Sequence, residues 1–351
     1  MNNQSISVLV TAYKRKEYLL DALKSLKDQT LDENKFEVIV IKNFEDPKID
    51  SFIDCMNWKN IIPETADLGL KYEIGIKEAK GQIITFLEDD DVYESNRLQY
   101  IYSTFQKYND LIYFHNNQKI INENGNIIDQ NMIYPDIYIQ DPSRYCDKLF
   151  INPGGFHNAS SIAIAKEIIE RKESLNLLKT IKSSPDLAML SLAIKQKGSL
   201  YLSGQSLTRY RIHMSSSTPH GYVYRKDFKK SLITLAETYN KWAVDARKII
   251  DYTNNIPCID YIKPYELIRR IEASSTPSWA IKNRPISSFY DFLILYKLGK
   301  EHKFIGDKKL LAVLFLDIIV SKLPSELREL YWRIRWVSKN NLALFKRKTN
   351  N

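Results

Sequence analysis

Residues 81–91, Gly-Gln-Ile-Ile-Thr-Phe-Leu-Glu-Asp-Asp-Asp, set a short apolar run between a glycine and four consecutive carboxylates. A β-rich run bounded in this way reads as a buried strand with the acids at its carboxyl end, where open α/β sheets hold their ligands. Four adjacent like charges repel one another. Water offsets them if they lie on a surface turn. The alternative is a divalent cation facing a polyanion, because all-oxygen carboxylate donors suit Mg²⁺ or Mn²⁺, which take one or two carboxylates together with substrate phosphates.

The chain leading into this strand alternates between two periodicities. Ile6–Ala12 reads as a first strand, Tyr18–Asp28 carries Leu19, Leu20, Leu23 and Leu26 at helical spacing, and Phe36–Ile41 reads as a second strand. After an irregular stretch containing Asp and Pro, Ile61-Ile62-Pro63 reads as a short third strand and Lys71–Ala79 as a helix ended by Gly81. Such alternation implies βαβ units, a parallel sheet and right-handed crossovers.

Further on, a helix is expected from Arg97 to Tyr108, then a hairpin arm formed by Leu111–Phe114 and Lys119–Ile121 around Asn124-Gly125. Asn152-Pro153-Gly154-Gly155 is a loop by composition. Ser160–Ala165 is expected to be a strand leading into a helix over Lys166–Leu178, and Asp186–Lys197 a helix stopped by Gly198. Leu200–Leu202 and Thr208–Ile212 are strand-like. Beyond Gly221 the period is helical, with segments at Phe228–Asp251, Tyr265–Glu272, Ser287–Leu298, Lys308–Leu323 and Ser325–Val337.

At 351 residues and 44% hydrophobic, the chain can bury a large core and suggests two domains. Met1–Ser5 are polar and no apolar leader precedes the first strand, so a cytoplasmic protein is expected. Cys55, Cys146 and Cys258 are odd in number, far apart and outside any metal-type spacing; they read as reduced core residues. The net charge of +9 is unevenly spread: residues 1–218 hold 26 Lys+Arg against 29 Asp+Glu, and residues 219–351 hold 25 against 13. Excess positive charge confined to the last third points to an anionic membrane surface or nucleic acid as a partner of that part alone. No nucleic-acid motif or aromatic stacking platform accompanies it, so no nucleic-acid partner is expected.

Four stretches in order carry a resemblance. They are Val8–Arg15; Asp67-Leu68-Gly69 through Gly75-Ile76 and Ala79-Lys80-Gly81; Phe86–Asp91; and Tyr210-Arg211-Ile212-His213 with Ser215–Ser217. Together they resemble the family 2 glycosyltransferases of the GT-A fold. The fold this implies is α/β, with a Rossmann-like, mixed and mainly parallel sheet flanked by helices, followed by an α-helical C-terminal region. Residues 1–218 would form the catalytic domain, with a nucleotide-sugar half to about residue 110 and an acceptor half over about 111–218. Residues 219–351 would form the basic helical region.

The resemblance also implies roles. The metal-binding Asp-x-Asp of the family falls on Glu88–Asp90, where Glu88 replaces the first Asp; Asp90 would coordinate Mg²⁺ or Mn²⁺ and Glu88 would meet the ribose or a metal-bound water. Asp89–Asp91 is the alternative frame, and Asp89 counts among the donor-binding candidates. Thr11, Ala12, Tyr13 and Arg15 would border the nucleotide, with Tyr13 stacking on the base. Lys42-Asn43 stand where the family has a base-recognising Asp pair; the Asn43 amide can hydrogen-bond a uracil or guanine edge, whereas Lys cannot accept. Asp67 is a further base contact. Arg211 and His213 would meet the diphosphate and the metal. Ser184-Pro185-Asp186 before a helix ending in Gly198 matches the position of the general base, which is assigned to Asp186; a first-turn acid placed for the helix dipole is the structural alternative. From its own residues, Asn152–His157 is expected to line the acceptor pocket, since glycines permit close approach of a sugar and aromatics stack on one; an ordinary turn is the alternative.

The resemblance implies a metal-dependent inverting glycosyltransferase that moves a sugar from a nucleotide diphosphate sugar, UDP-sugar favoured, to a hydroxyl of a glycan or lipid-linked acceptor. Lys42-Asn43 and Glu88 motivate a second reading, a catalytically silent GT-A-like sugar-nucleotide-binding or scaffold protein. In the C-terminal region, Leu310–Leu316 and Ile318–Val320 flank Asp317, an apolar run too short to span a bilayer. Leu327, Leu330, Tyr331, Trp332, Ile334 and Trp336, mixed with Arg328, Arg333, Arg335 and Lys339, have the composition of an interfacial helix. Peripheral contact with the inner face of the cell membrane is one expectation; packing on the catalytic domain with a solvated basic face is the other.

Overall fold

The computed structural model of the protein describes residues 5–13, 16–65, 67–130, 133–213, 227–254, 256–302 and 308–349. Lys14, Arg15 and Ser215–Ser217 of the sequence motifs lie outside these. The chain divides into two units. The first comprises residues 1–211 with Asp251–Ile259, and the second comprises Ile212–Ile250 with Asp260–Asn351.

The first unit is built on one ten-stranded mixed sheet. In chain order its elements are β1 (Ile6–Ala12), α1 (Leu19–Lys27), β2 (Phe36–Lys42), α2 (Pro47–Cys55), β3 (Lys59–Ile61), α3 (Leu68–Glu78), β4 (Ile83–Glu88), β5 (Val92–Tyr93), α4 (Arg97–Lys107), β6 (Leu111–Ile121), β7 (Ile127–Gln130), β8 (Ile137–Ile139), α5 (Cys146–Phe150), β9 (Ile162–Ala165), α6 (Lys166–Ile169), α7 (Lys172–Leu178), α8 (Pro185–Ile194) and β10 (Ser199–Arg211). The strand order is β3-β2-β1-β4-β9-β6-β10-β5, with β7 paired to β6 and β8 to β10. β1, β2, β3 and β4 run parallel; β9 runs antiparallel to both β4 and β6. The chain goes to one side from β1 to β2 and to the other side from β1 to β4, so a crevice opens at their carboxyl ends.

Local sequence explains these elements. Every residue of β1 is buried, as a central strand covered on both faces requires. Leu19, Ala22, Leu23 and Leu26 of α1 fall on one face and are buried. The helix α2 was legible in principle: the Asp46 side chain accepts from the N–H groups of Lys48 and Ile49, and Pro47 occupies the first turn, the usual N-terminal pair. Gly81 has no room for a side chain, since a Cβ would lie 2.6 Å from the carbonyl carbon of Ile6, and its N–H donates to Ser7 Oγ at 2.8 Å. That close approach lets β4 enter beside β1.

Two pairs of expected strands are single long ones. β6 and β10 continue through Asn116-Asn117-Gln118, which is buried, and through Ser203–Ser206, where Gln205 turns to solvent at an irregularity in the pairing; both runs break the apolar pattern. The cysteine expectation is overturned: Cys146 and Cys258 form a disulfide with Cα atoms 5.2 Å apart, and Cys55 is exposed. A sequence separation of 112 residues says nothing about distance once the fold brings residues 251–259 to the first unit.

The second unit is helical. Helices Phe228–Thr253, Ile259–Ser274, Phe289–His302, Lys308–Ser321 and Ser325–Thr349 contribute to it. One core gathers Leu232, Leu235, Tyr239 and Ala273 around a buried Trp332; another joins Leu267, Ile271, Leu295, Leu314 and Ile318. Among the described residues no helix is long and apolar enough to cross a membrane.

Candidate active site

The four acids diverge. β4 delivers Glu88 to the sheet edge beside Thr11 of β1, and Asp89 and Asp90 form a turn before β5. Carboxylate oxygens of Glu88, Asp90 and Asp91 all lie within 4.8 Å of one another, with Asp90 and Asp91 buried and Glu88 half-buried. Asp89 turns away from them and accepts the N–H of Tyr13 at 3.0 Å, tying the loop after β1 to the acid turn. The cluster therefore contains Asp91 in addition to the expected Glu88–Asp90 pair, and leaves out Asp89.

Asp91 is held on several sides. Its oxygens accept from the Arg211 N–H at 3.0 Å and from Asn158 Nδ2 at 2.7 Å. Burial first, and the neighbouring Asp90 charge second, push its carboxyl up to about 7. Three carboxylates gathered where burial penalises their charge form a hard, all-oxygen donor set, which fits a divalent cation of the Mg²⁺ or Mn²⁺ type. Asn158 is held at φ 70°, a conformation Asn tolerates better than most residues, and its side chain also accepts from Ser160 N–H. Ser160 Oγ in turn accepts from Glu88 N–H at 3.0 Å. Asn158 and Ser160 are thus part of the site; the Asn-Ala-Ser-Ser run before β9 was the signal for them.

Arg211, at the end of β10, is almost fully buried. Its Nε donates to the Asp90 carbonyl at 2.8 Å, one terminal nitrogen to the Glu123 carbonyl at 2.9 Å, and the guanidinium stacks over the Tyr18 ring at 4.6 Å. Its contacts brace the backbone of the acid turn. His213 is buried, belongs to the second unit and is not one of the three clustered acids.

Thr11, Ala12 and Tyr13 lie at the carboxyl end of β1, where Tyr13 is exposed and Thr11 buried. Lys71 of α3, a residue the sequence reading passed over, donates to the Ala12 carbonyl at 2.6 Å and lies 5.2 Å from the centre of the Tyr13 ring. Burial draws its ammonium down to about 8, against the pull of Asp89. Lys42 is fully buried and bound to the Phe44 carbonyl and to Asp50 at 2.7 Å, which anchors α2; Asn43, half-buried, follows it at the end of β2. Asp67 precedes α3 and pairs with Lys182 at 2.7 Å.

Asp186 stands half-buried in the first turn of α8. Two buried tyrosines connect it to the rest of the site. The Tyr72 hydroxyl is raised well above its usual value by burial, and the charges of Glu88 and Asp186 both add to the rise. Tyr113 is raised by burial and by Asp186, and its hydroxyl donates to the Gly155 carbonyl at 2.6 Å. Asp186 therefore shares one neighbourhood with Glu88 and with the Asn152–His157 loop, in which His157 is exposed and Phe156 buried.

Residues 7–167 match the family described as Glycosyl transferase family 2, a match that ends before Asp186, Arg211 and His213. A Rickettsia conorii protein named as an uncharacterized glycosyltransferase is 30% identical over 138 residues, 37% of this chain and 22% of that protein. The chain thus spans about a fifth of the length of the Rickettsia relatives it matches. EpsH of Bacillus subtilis, also named as a glycosyltransferase, is 24% identical over 263 residues, 73% of this chain and 74% of EpsH. Among solved structures, S. aureus TarS 1-349 superposes with a TM-score of 0.52 at 16% identity, covering 99% of this chain and 92% of that one. The same TarS fragment is known in complex with UDP and with UDP-GlcNAc. This likeness carries the fold, and the GT-A arrangement expected from the sequence is the one observed.

Proposed function

We propose that this chain, whose first half matches family 2 glycosyl transferases, is a metal-dependent inverting glycosyltransferase that moves a sugar from a UDP-sugar to a hydroxyl of a glycan or lipid-linked acceptor. The observation that carries the reading is the Glu88, Asp90 and Asp91 cluster at the carboxyl end of β4, beside the strand-order reversal at β1. The UDP and UDP-GlcNAc complexes of TarS support the choice of donor.

Asp90, with Glu88 and Asp91 beside it, would hold Mg²⁺ or Mn²⁺, which supplies positive charge next to the departing diphosphate. Tyr13 would stack on the base, and Asn43 and Asp67 would read its polar edge. Arg211, through the Asp90 carbonyl and the Asp91 carboxylate, keeps the acid turn in place. Asp186 would accept the proton of the acceptor hydroxyl as that oxygen bonds to the anomeric carbon and the bond to the diphosphate breaks, opposite the attack. The nucleoside diphosphate leaves with the electron pair.

The test is release of UDP from UDP-GlcNAc, alone and with sugar acceptors, in Mn²⁺ or Mg²⁺. Metal-dependent turnover that Asp90→Ala lowers by about 10²–10³, the scale for losing one preorganised electrostatic contact, is expected. Full activity in Asp90→Ala reassigns the metal ligand. Tight UDP binding without turnover, under any acceptor, makes the chain a silent sugar-nucleotide-binding protein.

A further inference from the structure

Two neighbouring helices of the second unit turn apolar faces outward. Along Phe289–His302 the exposed positions begin with Phe289, Tyr290, Leu293 and Tyr296, and along Lys308–Ser321 they include Ala312, Phe315, Leu316 and Ile319. The Phe315 ring lies 6.0 Å from Phe289 and 5.3 Å from Phe292, so the two stripes form one patch, with a groove of about 380 Å³ between Tyr296 and Phe315. The second helix is apolar on both faces, burying Leu314 and Ile318 in the core with Leu267, Ile271 and Leu295. Its Asp317 is 0% exposed and pairs inward with Arg335 at 2.9 Å and the Tyr331 hydroxyl at 2.8 Å, while Phe315, Leu316 and Ile319 are 40–46% exposed. A helix that hides its carboxylate and presents its large apolar side chains is patterned for a non-aqueous neighbour.

The rim of the patch identifies that neighbour. Lys297, Lys300, Lys309 and Lys322 are exposed on or beside the same two helices, and Glu301 is their single exposed carboxylate among the described residues. We propose that this face docks on an anionic phospholipid bilayer. The aromatic and aliphatic side chains enter the headgroup boundary and the lysine ammoniums meet lipid phosphates above them. A second copy of the chain fits less well, because twofold pairing sets the lysine-rimmed patch against itself with little carboxylate to meet it. The contact is peripheral, since neither helix is long enough to span. Of the interfacial residues the sequence pointed to on Ser325–Thr349, Trp332 is 1% exposed and packs in the core, whereas Leu327, Leu330 and Ile334 are exposed.

The test is co-sedimentation of the full chain with phosphatidylcholine vesicles, with and without phosphatidylglycerol. Two variants accompany it, Tyr290→Ser with Phe315→Ser, and Lys297→Glu with Lys300→Glu, each checked for an unchanged circular dichroism melt and unchanged UDP binding. The unsubstituted protein is expected to partition onto the anionic vesicles, and each double variant to bind them roughly tenfold more weakly or less. The proposal is overturned if the unsubstituted protein stays in solution, if the Tyr290/Phe315 variant partitions like it, or if sedimentation velocity finds a dimer that Phe315→Ser breaks while vesicle binding is absent. Because UDP binding is measured separately, failure here leaves the donor reading standing, and the reverse.

Discussion

Asp186 accepts the N–H of Leu187 at 2.8 Å in the first turn of α8. Asp186→Asn is expected to leave UDP affinity nearly unchanged and to lower transfer by roughly 10²-fold or more; equilibrium binding and turnover measured on one preparation check both halves, and a fully active variant moves the base elsewhere. His115, by contrast, contributes to stability. It is buried on β6, its Nε2 lies 2.9 Å from the His157 carbonyl, and burial holds its imidazolium down to about 3. Between that value and the unfolded value of about 6.5, the unfolded chain binds a proton that the folded one does not, so stability falls as pH drops through this window. From pH 7 to pH 5 the loss from this residue is about 2 kcal/mol. His115→Gln is expected to melt with a flatter pH dependence over that range; parallel melting curves would show that His115 does not titrate on unfolding. Neither the frame of the acids nor the partners of Arg211 were readable from spacing alone. Glu88–Asp91 are consecutive, and only the turn geometry sends Asp89 toward Tyr13 and Asp91 toward Asn158.

Elements with one strong periodicity were legible, among them β1, α1, β2, β4, α4 and the C-terminal helices. Those whose pattern is broken by satisfied polar residues were not. β6 carries Asn116, whose amide accepts from the buried Arg97 at 2.9 Å and donates to Thr208 at 3.0 Å, so a polar run continues a strand because neighbouring strands supply its partners. The helix Lys308–Ser321 makes the same point with charge. Arg335, stacked over the Trp332 ring at 4.4 Å, has Asp317 as its carboxylate partner in that core. Asp317→Ala is expected to cost about 3 kcal/mol by leaving the half-buried Arg335 guanidinium without its carboxylate, whereas Asp317→Leu with Arg335→Met is expected to be near neutral. Chemical denaturation of the three proteins decides it, and equal losses in the single and double variants would mean the pair is not coupled.

At the scale of the whole molecule, the site is expected to report through stability. UDP with Mn²⁺ at about a hundred times its dissociation constant adds about 2.7 kcal/mol to the unit that binds it, an upward shift of roughly 5–11 °C for a domain of that size. EDTA and Asp90→Ala should each remove the metal-dependent share; no shift with UDP, GDP or dTDP sugars in either metal would remove the donor assignment. The sequence by itself determined the alternation of strands and helices, the all-buried central strands and the placing of acids at the end of β4, because these follow from periodicities and turns within a few residues. The tertiary structure alone decided which three of the four acids converge, that Cys146 meets Cys258, that Lys42 and Arg211 are braces, and which helix faces are left to solvent. Those outcomes depend on contacts between residues distant in the chain, where spacing carries no information about the partner.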